Sequence, residues 1–121
     1  MGGSGMVGEV SVGQETTVAR LHGDLDLVNV DVLRNLLEGV VAGPGDVVVV
    51  DLGDVPFIDV LSLSVILGAA DGLREVGRRL VVEGASTSIR RLCALLNAED
   101  VLAPPPTLSP RPRLLSTPGA T

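Results

Sequence analysis

The chain contains no lysine: its nine basic residues are all arginine, set against 15 acidic residues for a formal charge of −6. A P-loop needs its lysine to reach the phosphates, and a Schiff-base enzyme needs one as nucleophile, so both classes are excluded. The acidic balance also argues against a spread-out nucleic-acid footprint. Cys93 is the one cysteine, which excludes an internal disulfide and a Cys-rich metal cage; it sits in an apolar helical pattern and reads as a packing residue. Phe57 is the one aromatic, so neither a base-stacking platform nor an aromatic cage can be built, and the core must be Val, Leu and Ile. No apolar run approaches the ~20 residues of a membrane span, and the N-terminus has no basic-then-apolar signal pattern. The expectation is a cytoplasmic protein with no membrane and no direct nucleic-acid partner.

Catalytic signatures are missing as well. There is no Ser-His-Asp set with a nucleophile elbow. Asp51, Asp54 and Asp59 would suit a receiver-like acidic pocket only with a lysine, and Asp51 and Asp54 read more simply as strand-end and turn residues. The expectation is no enzyme, no metal and no cofactor.

What is present is one domain's worth of core: 121 residues, 45% of them hydrophobic. The organising stretch runs from Val47 to Leu67, VVVVDLGDVPFIDVLSLSVIL. Four consecutive valines before Asp51 predict a central strand buried on both faces. Gly53, Asp54 and Pro56 interrupt pairing, and Leu63, Ile66, Leu67, Ala70 and Leu73 then fall on the inner stripe of a helix from about Leu61 to Val76. The junction places Asp59 and Val60-Leu61-Ser62 at a helix N-terminus, where unpaired N–H groups can receive an anion or a partner's polar group. Gly68 and Gly72 within that helix suggest close packing or tolerance.

Met1 to Gly5 reads as an appended linker or a natural flexible tail, with residues 1–6 outside the fold. Glu9 to Val12 and Thr17 to Gly23 alternate around a polar turn and predict a β-hairpin near a sheet edge. His22 lies on its second strand without a partner motif and is given no role. Asn29 is positioned to cap a helix from Val30 to about Val41, with Val30, Leu33, Leu36, Leu37 and Val40 facing inward, and Gly43-Pro44-Gly45-Asp46 stops it. Leu80 to Glu83 predicts another strand. Ser86 or Ser88 then caps a last helix carrying Ile89, Leu92, Cys93, Leu95 and Leu96. Strands alternating with helices give an α/β fold with right-handed crossovers, one mixed sheet and helices mainly on one face. The domain is expected over 7–103. The segment 104–121 holds six prolines and is expected to be disordered; it has no PxxP spacing for a polyproline reader.

Three stretches resemble the STAS domain of anti-sigma factor antagonists (anti-anti-sigma factors), over roughly Val7 to Leu102. Arg20-Leu21-His22-Gly23-Asp24-Leu25-Asp26 resembles the family's Gly-acid-Leu-Asp strand end. Val47 to Ile58 resembles its apolar strand followed by Asp-Leu and Phe-Ile. Asp59 to Leu67 resembles Asp-Ser-Ser-Gly-Leu-Gly-Val-Leu-Leu at the start of the second helix. The resemblance implies a bacterial regulator of transcription that binds an anti-sigma factor of kinase-like ATPase fold and thereby releases a sigma factor. The implied partner-binding residues are Asp26, Asp59, Val60, Leu61, Ser62 and Ser64.

The family is typically switched by phosphorylation of the second Ser or Thr after the motif aspartate, and that position is Leu61. Val60 and Ser62 replace the family's serine and glycine on either side, so regulation at this position is not expected. A partner that tolerates the leucine would bind constitutively; one that closely surrounds a small serine would be excluded. Ser62, expected to be exposed, and Ser64, expected inward or on the flank, are the candidate displaced acceptors, set against the simpler reading that Ser62 satisfies a free N–H in the first turn and neither is modified. A small-molecule or nucleotide sensor using the same helix N-terminus as an anion site is the alternative. The family's last strand and helix have no counterpart beyond Thr107-Leu108, so the C-terminal helix is expected to be missing. Apolar surface on the first-helix side would then be left for a second copy, a homodimer.

Overall fold

The computed structural model describes residues 6–103. Strands β1 (Val7–Val12) and β2 (Thr16–His22) form the expected hairpin, followed by α1 (Val30–Ala42), β3 (Val47–Asp54), α2 (Val60–Glu75), β4 (Arg79–Glu83), α3 (Thr87–Leu95) and a short 3₁₀ turn at Glu99–Val101. The sheet order is β1-β2-β3-β4. Strands β1 and β2 are antiparallel, and β2, β3 and β4 run parallel. Crossovers of one hand between sequential neighbours keep the helices on one face.

That one-sidedness corrects the expectation for β3. Val48, Val50 and Leu52 point into the core with Ala19 and Leu21 of β2 and Leu80 and Val82 of β4, whereas Val47, Val49 and Asp51 on the opposite face are only half-buried. The strand is central, but only one of its faces is covered. The covered face meets Leu33 and Leu37 of α1, Leu63, Ile66 and Leu73 of α2, and Ile89 and Cys93 of α3.

Several boundaries also move. Met6 is buried in the core, so the folded unit starts one residue before the expected boundary at Val7. Leu95 and Leu96, both read as part of the last helix, are exposed, because α3 ends at Leu95 and its buried stripe stops at Cys93. A Cβ added at Gly68 or Gly72 would meet nothing within 4 Å, so these glycines are tolerated rather than required for close packing. Gly8 is the opposite case: the Leu36 side chain of α1 lies where its Cβ would stand. At the far edge Leu102 pairs in parallel with Val82, and the Ala103 N–H donates to the Val82 carbonyl at 2.9 Å, so the chain starts a minimal strand beside β4. The expected N-terminal linker (1–5), Pro-rich tail (104–121) and absent C-terminal helix lie outside the described residues.

Candidate functional site

Parallel strands with helices on one face bring the β2–α1 and β3–α2 loops together at the strands' C-terminal ends. Backbone bonds zip the two loops: the Gly23 N–H donates to Asp54 O at 3.2 Å, Leu25 N–H to Phe57 O at 2.9 Å, and Asp59 N–H to Leu25 O at 3.0 Å. Leu25, fully buried, pairs with Ile58 as a parallel bridge and anchors the junction in the core. Asp26 and Asp59, 33 positions apart in sequence (59 less 26), thereby end up in adjoining loops.

Each aspartate has local work. The Asp59 carboxylate caps α2, accepting from the Ser62 N–H at 2.8 Å. Asp26 Oδ1 accepts from the Val28 N–H at 3.1 Å and the Asn29 N–H at 3.3 Å, shaping the approach to α1. Asn29 does stand at the N-cap position, but its side chain makes no capping bond; its Nδ2 donates instead to Asp24 O at 2.9 Å and ties the loop back on itself. The α2 N-terminus is therefore not the open anion receptor that the sequence suggested. A carboxylate already satisfies part of it and neutralises the helix's positive end.

The first turn of α2 divides its residues sharply. Val60 and Leu61 face solvent, with Leu61 43% exposed. Ser62 is 0% exposed, and its Oγ has no hydrogen-bond partner. Ser64 is exposed. The accessibility expected of the two serines is thus reversed: Ser62 is the inward member, on the stripe it shares with Ile66, Ala70 and Leu73. Spacings of four, four and three carry this phase. Of the two candidate acceptors, only Ser64 presents its hydroxyl outward.

Sequence reading missed three apolar residues on the same surface. Leu27 and Val28 in the β2–α1 loop and Phe57 in the β3–α2 loop are all exposed, with Val28 84% open to solvent. The available signal was that Leu27 and Val28 lie between Asp26 and the helix cap, where no periodic stripe includes them. With Val60 and Leu61, the two zipped loops and the first turn of α2 thus carry five exposed apolar residues, in the same segments as Asp26 and Asp59. Such a surface suits a protein partner better than a small polar ligand.

His22 stands at the rim of this end of the sheet. Its Nδ1 lies 3.0 Å from Asp54 Oδ2, and its Nε2 faces Glu9 Oε1 at 3.5 Å, an ion-pair distance without a hydrogen bond. Arg20 pairs with Asp51 nearby at 3.3 Å. Among the described residues, no group of three or more His, Cys, Asp or Glu is placed to hold a metal ion, and no helix is long and apolar enough to cross a membrane.

A family model described as "Mlab, STAS domain" matches residues 9–104. Among solved structures, the chain is similar to an anti-sigma factor antagonist from Mycobacterium paratuberculosis, at 20% identity and a TM-score of 0.76, covering 88% of this chain and 92% of that one. It is similar to SpoIIAA, a Bacillus anti-sigma factor antagonist, in its unphosphorylated form, at 21% identity and a TM-score of 0.69, covering 80% and 86%. It is also similar to the STAS domain of a SulP transporter from Vibrio cholerae, at 14% identity and a TM-score of 0.57, covering 78% and 77%. A search of curated proteins found no match. The family match runs from the hairpin to the bridge beside β4 and includes both zipped loops: the chain belongs to the STAS domain family.

Proposed function

We infer that this chain is an interaction module of the anti-sigma factor antagonist type, binding an anti-sigma factor of kinase-like ATPase fold and so releasing a sigma factor. The observation that carries the reading is the exposed Val60–Leu61 pair on the first turn of α2, set between the Asp59 cap and the Asp26 loop. Two of the similar structures are named as anti-sigma factor antagonists, which supports the same direction. The reading comprises binding without turnover, in the cytoplasm, with no cofactor and no direct contact with nucleic acid.

Leu61 stands where the resembling family carries its phospho-acceptor. Leucine has no hydroxyl, so no phosphate can add about −1.5 to −2 charges at the centre of this surface. The surface stays apolar whatever the kinase activity of its partner, and binding is constitutive with respect to that position. If an acceptor has moved, Ser64 is the outward-facing choice. Nucleotide or small-molecule sensing at the α2 N-terminus is the weaker alternative, because the Asp59 carboxylate already occupies the place an anion would take.

The test is titration of the purified chain with each kinase-like anti-sigma factor of its source organism, with ATP and magnesium present, following complex formation and intact mass together. Complex formation with unchanged mass is the expected result. Added phosphate on the chain would refute the loss of the switch, and a folded chain that binds none of these factors would refute the function.

A further inference from the structure

The edge opposite the α3 side carries a second unpartnered surface, distinct from the zipped loops. Among the described residues, strand β1 pairs with β2 alone. The Gly13 N–H donates to Thr16 O at 2.8 Å and closes the hairpin; each β1 residue pairs with the β2 residue whose number completes a sum of 29, as in Val12 with Thr17. Hydrogen-bonded and non-hydrogen-bonded pairs alternate along an antiparallel ladder. The odd-numbered residues Val7, Glu9 and Ser11 therefore turn their N–H and C=O groups toward β2. Those of Gly8, Val10 and Val12 point outward along the free edge.

The edge has none of the usual protection. It contains no proline or lysine, and its one charge is Glu9. Val10 and Val12 are 46% and 61% exposed, on the helix-bearing side of the sheet. They line an apolar groove of about 310 Å³ between β1 and α1, together with Leu36 and Val40.

We propose that β1 pairs antiparallel with β1 of a second copy of this chain, making a two-fold dimer with a continuous eight-stranded sheet. The occupant is a second copy because the strand is complementary to itself in one register. With the two-fold axis at Val10, the outward-pointing groups of Val10 meet their own copies and those of Gly8 meet Val12, giving about six inter-chain hydrogen bonds. Glu9 then lies opposite the partner's Ser11. The partner's Val12 lands beside Gly8, where the Leu36 side chain already fills the space a Cβ would take. The two apolar grooves merge across the axis. Shifting the axis to Glu9 would place two carboxylates directly opposite each other, which is unfavourable, and shifting it to Ser11 would leave Val7, Gly8 and Glu9 beyond the strand pairing.

The full chain is followed by light scattering and analytical ultracentrifugation across the micromolar range, with circular dichroism to confirm folding. The expected species has twice the 12.4 kDa mass of one chain. Val10→Lys, which brings two ammonium groups together at the axis, is expected to give a folded monomer. Ser11→Glu, opposite Glu9, is expected to weaken the dimer by about 2- to 30-fold, whereas Ser11→Lys leaves it intact or tightens it. A wild-type monomer throughout the range overturns the proposal. So does a Val10→Lys dimer, or a Ser11 pair whose two variants behave alike. Each of these readouts is independent of whether any anti-sigma factor binds.

Discussion

Arg78 holds the end of α1 from a distance. Helix α1 has no basic residue in its own last turn, and the guanidinium of Arg78, from the α2–β4 turn, supplies the missing cation. Its Nε donates to Gly45 O at 2.7 Å, Nη1 to Val41 O at 2.7 Å and Nη2 to Gly43 O at 2.9 Å. A hydrogen bond to a charged group contributes roughly 1.5–3 kcal/mol and a cation at a helix C-terminus roughly 0.3–1 kcal/mol. The side chain is half-buried, so water regains some of the carbonyls once it is removed, and the three contributions do not add. Arg78→Met keeps the apolar stem and removes the fork; the expected loss is about 2–4 kcal/mol. For a domain of this size that is a Tm decrease of about 10–20 °C. Arg78→Lys keeps the charge but cannot reach three carbonyls with one compact ammonium, so it should fall between the two. Urea unfolding followed by circular dichroism is the assay, since the chain has no Trp or Tyr. A Met variant within about 0.5 kcal/mol of wild type would refute the account.

Asp59→Ala removes the α2 cap and should cost about 1 kcal/mol, while Asp59→Asn, which can still accept from the Ser62 N–H, should cost much less; thermal melts of the pair decide it. Leu61→Glu should leave the melting temperature unchanged or slightly raised, because a negative charge in the first helical turn is favourable. The same change should weaken the anti-sigma complex by roughly 10-fold or more by titration, and unaltered affinity would remove Leu61 from the interface. Cys93 is buried, and burial raises its thiol pKa above the ordinary 9.0. A thiol reagent should therefore modify it at the rate of global opening. Above pH 9.0 the unfolded chain releases a thiol proton that the folded chain retains, so stability should fall with rising pH in that window.

The elements that declare themselves through period are legible in the sequence itself. The alternation in Glu9 to Val12 and Thr17 to Gly23 predicts the hairpin, and the apolar stripe that follows Asp59 predicts α2. The four valines of β3 mislead because a run of one residue type has no parity. Valine is as acceptable on the half-covered face as in the core, and the crossovers, not the run itself, decide how many faces are covered. Ser62 misleads for a related reason: a hydroxyl beside a helix N-terminus invites a surface reading on its chemistry, although its spacing to Ile66, Ala70 and Leu73 places it inside. Leu27 and Val28 belong to no period, which keeps them off the core stripes, but their exposure is settled by the folded loop. Arg78 reaches the last turn of α1 and the loop after it from 33 to 37 residues away, beyond any local pattern.

The two halves of the proposed partner surface are also mechanically one piece. Asp26, Leu27 and Val28 come from the β2–α1 loop, and Phe57, Val60 and Leu61 from the segment entering α2, yet both hang from Leu25. Its N–H and C=O are spent on Phe57 and Asp59, and its side chain is fixed in the core. A displacement of the α2 N-terminus therefore pulls on the Asp26 loop through two backbone hydrogen bonds, rather than through side-chain contacts that could re-pack. What the chain presents there is the exposed Val60–Leu61 pair, in company with two aspartates whose own carboxylates are committed to backbone N–H groups. An interface built this way should be set by shape and burial more than by salt, so raising the ionic strength should change the anti-sigma affinity little compared with Leu61→Glu.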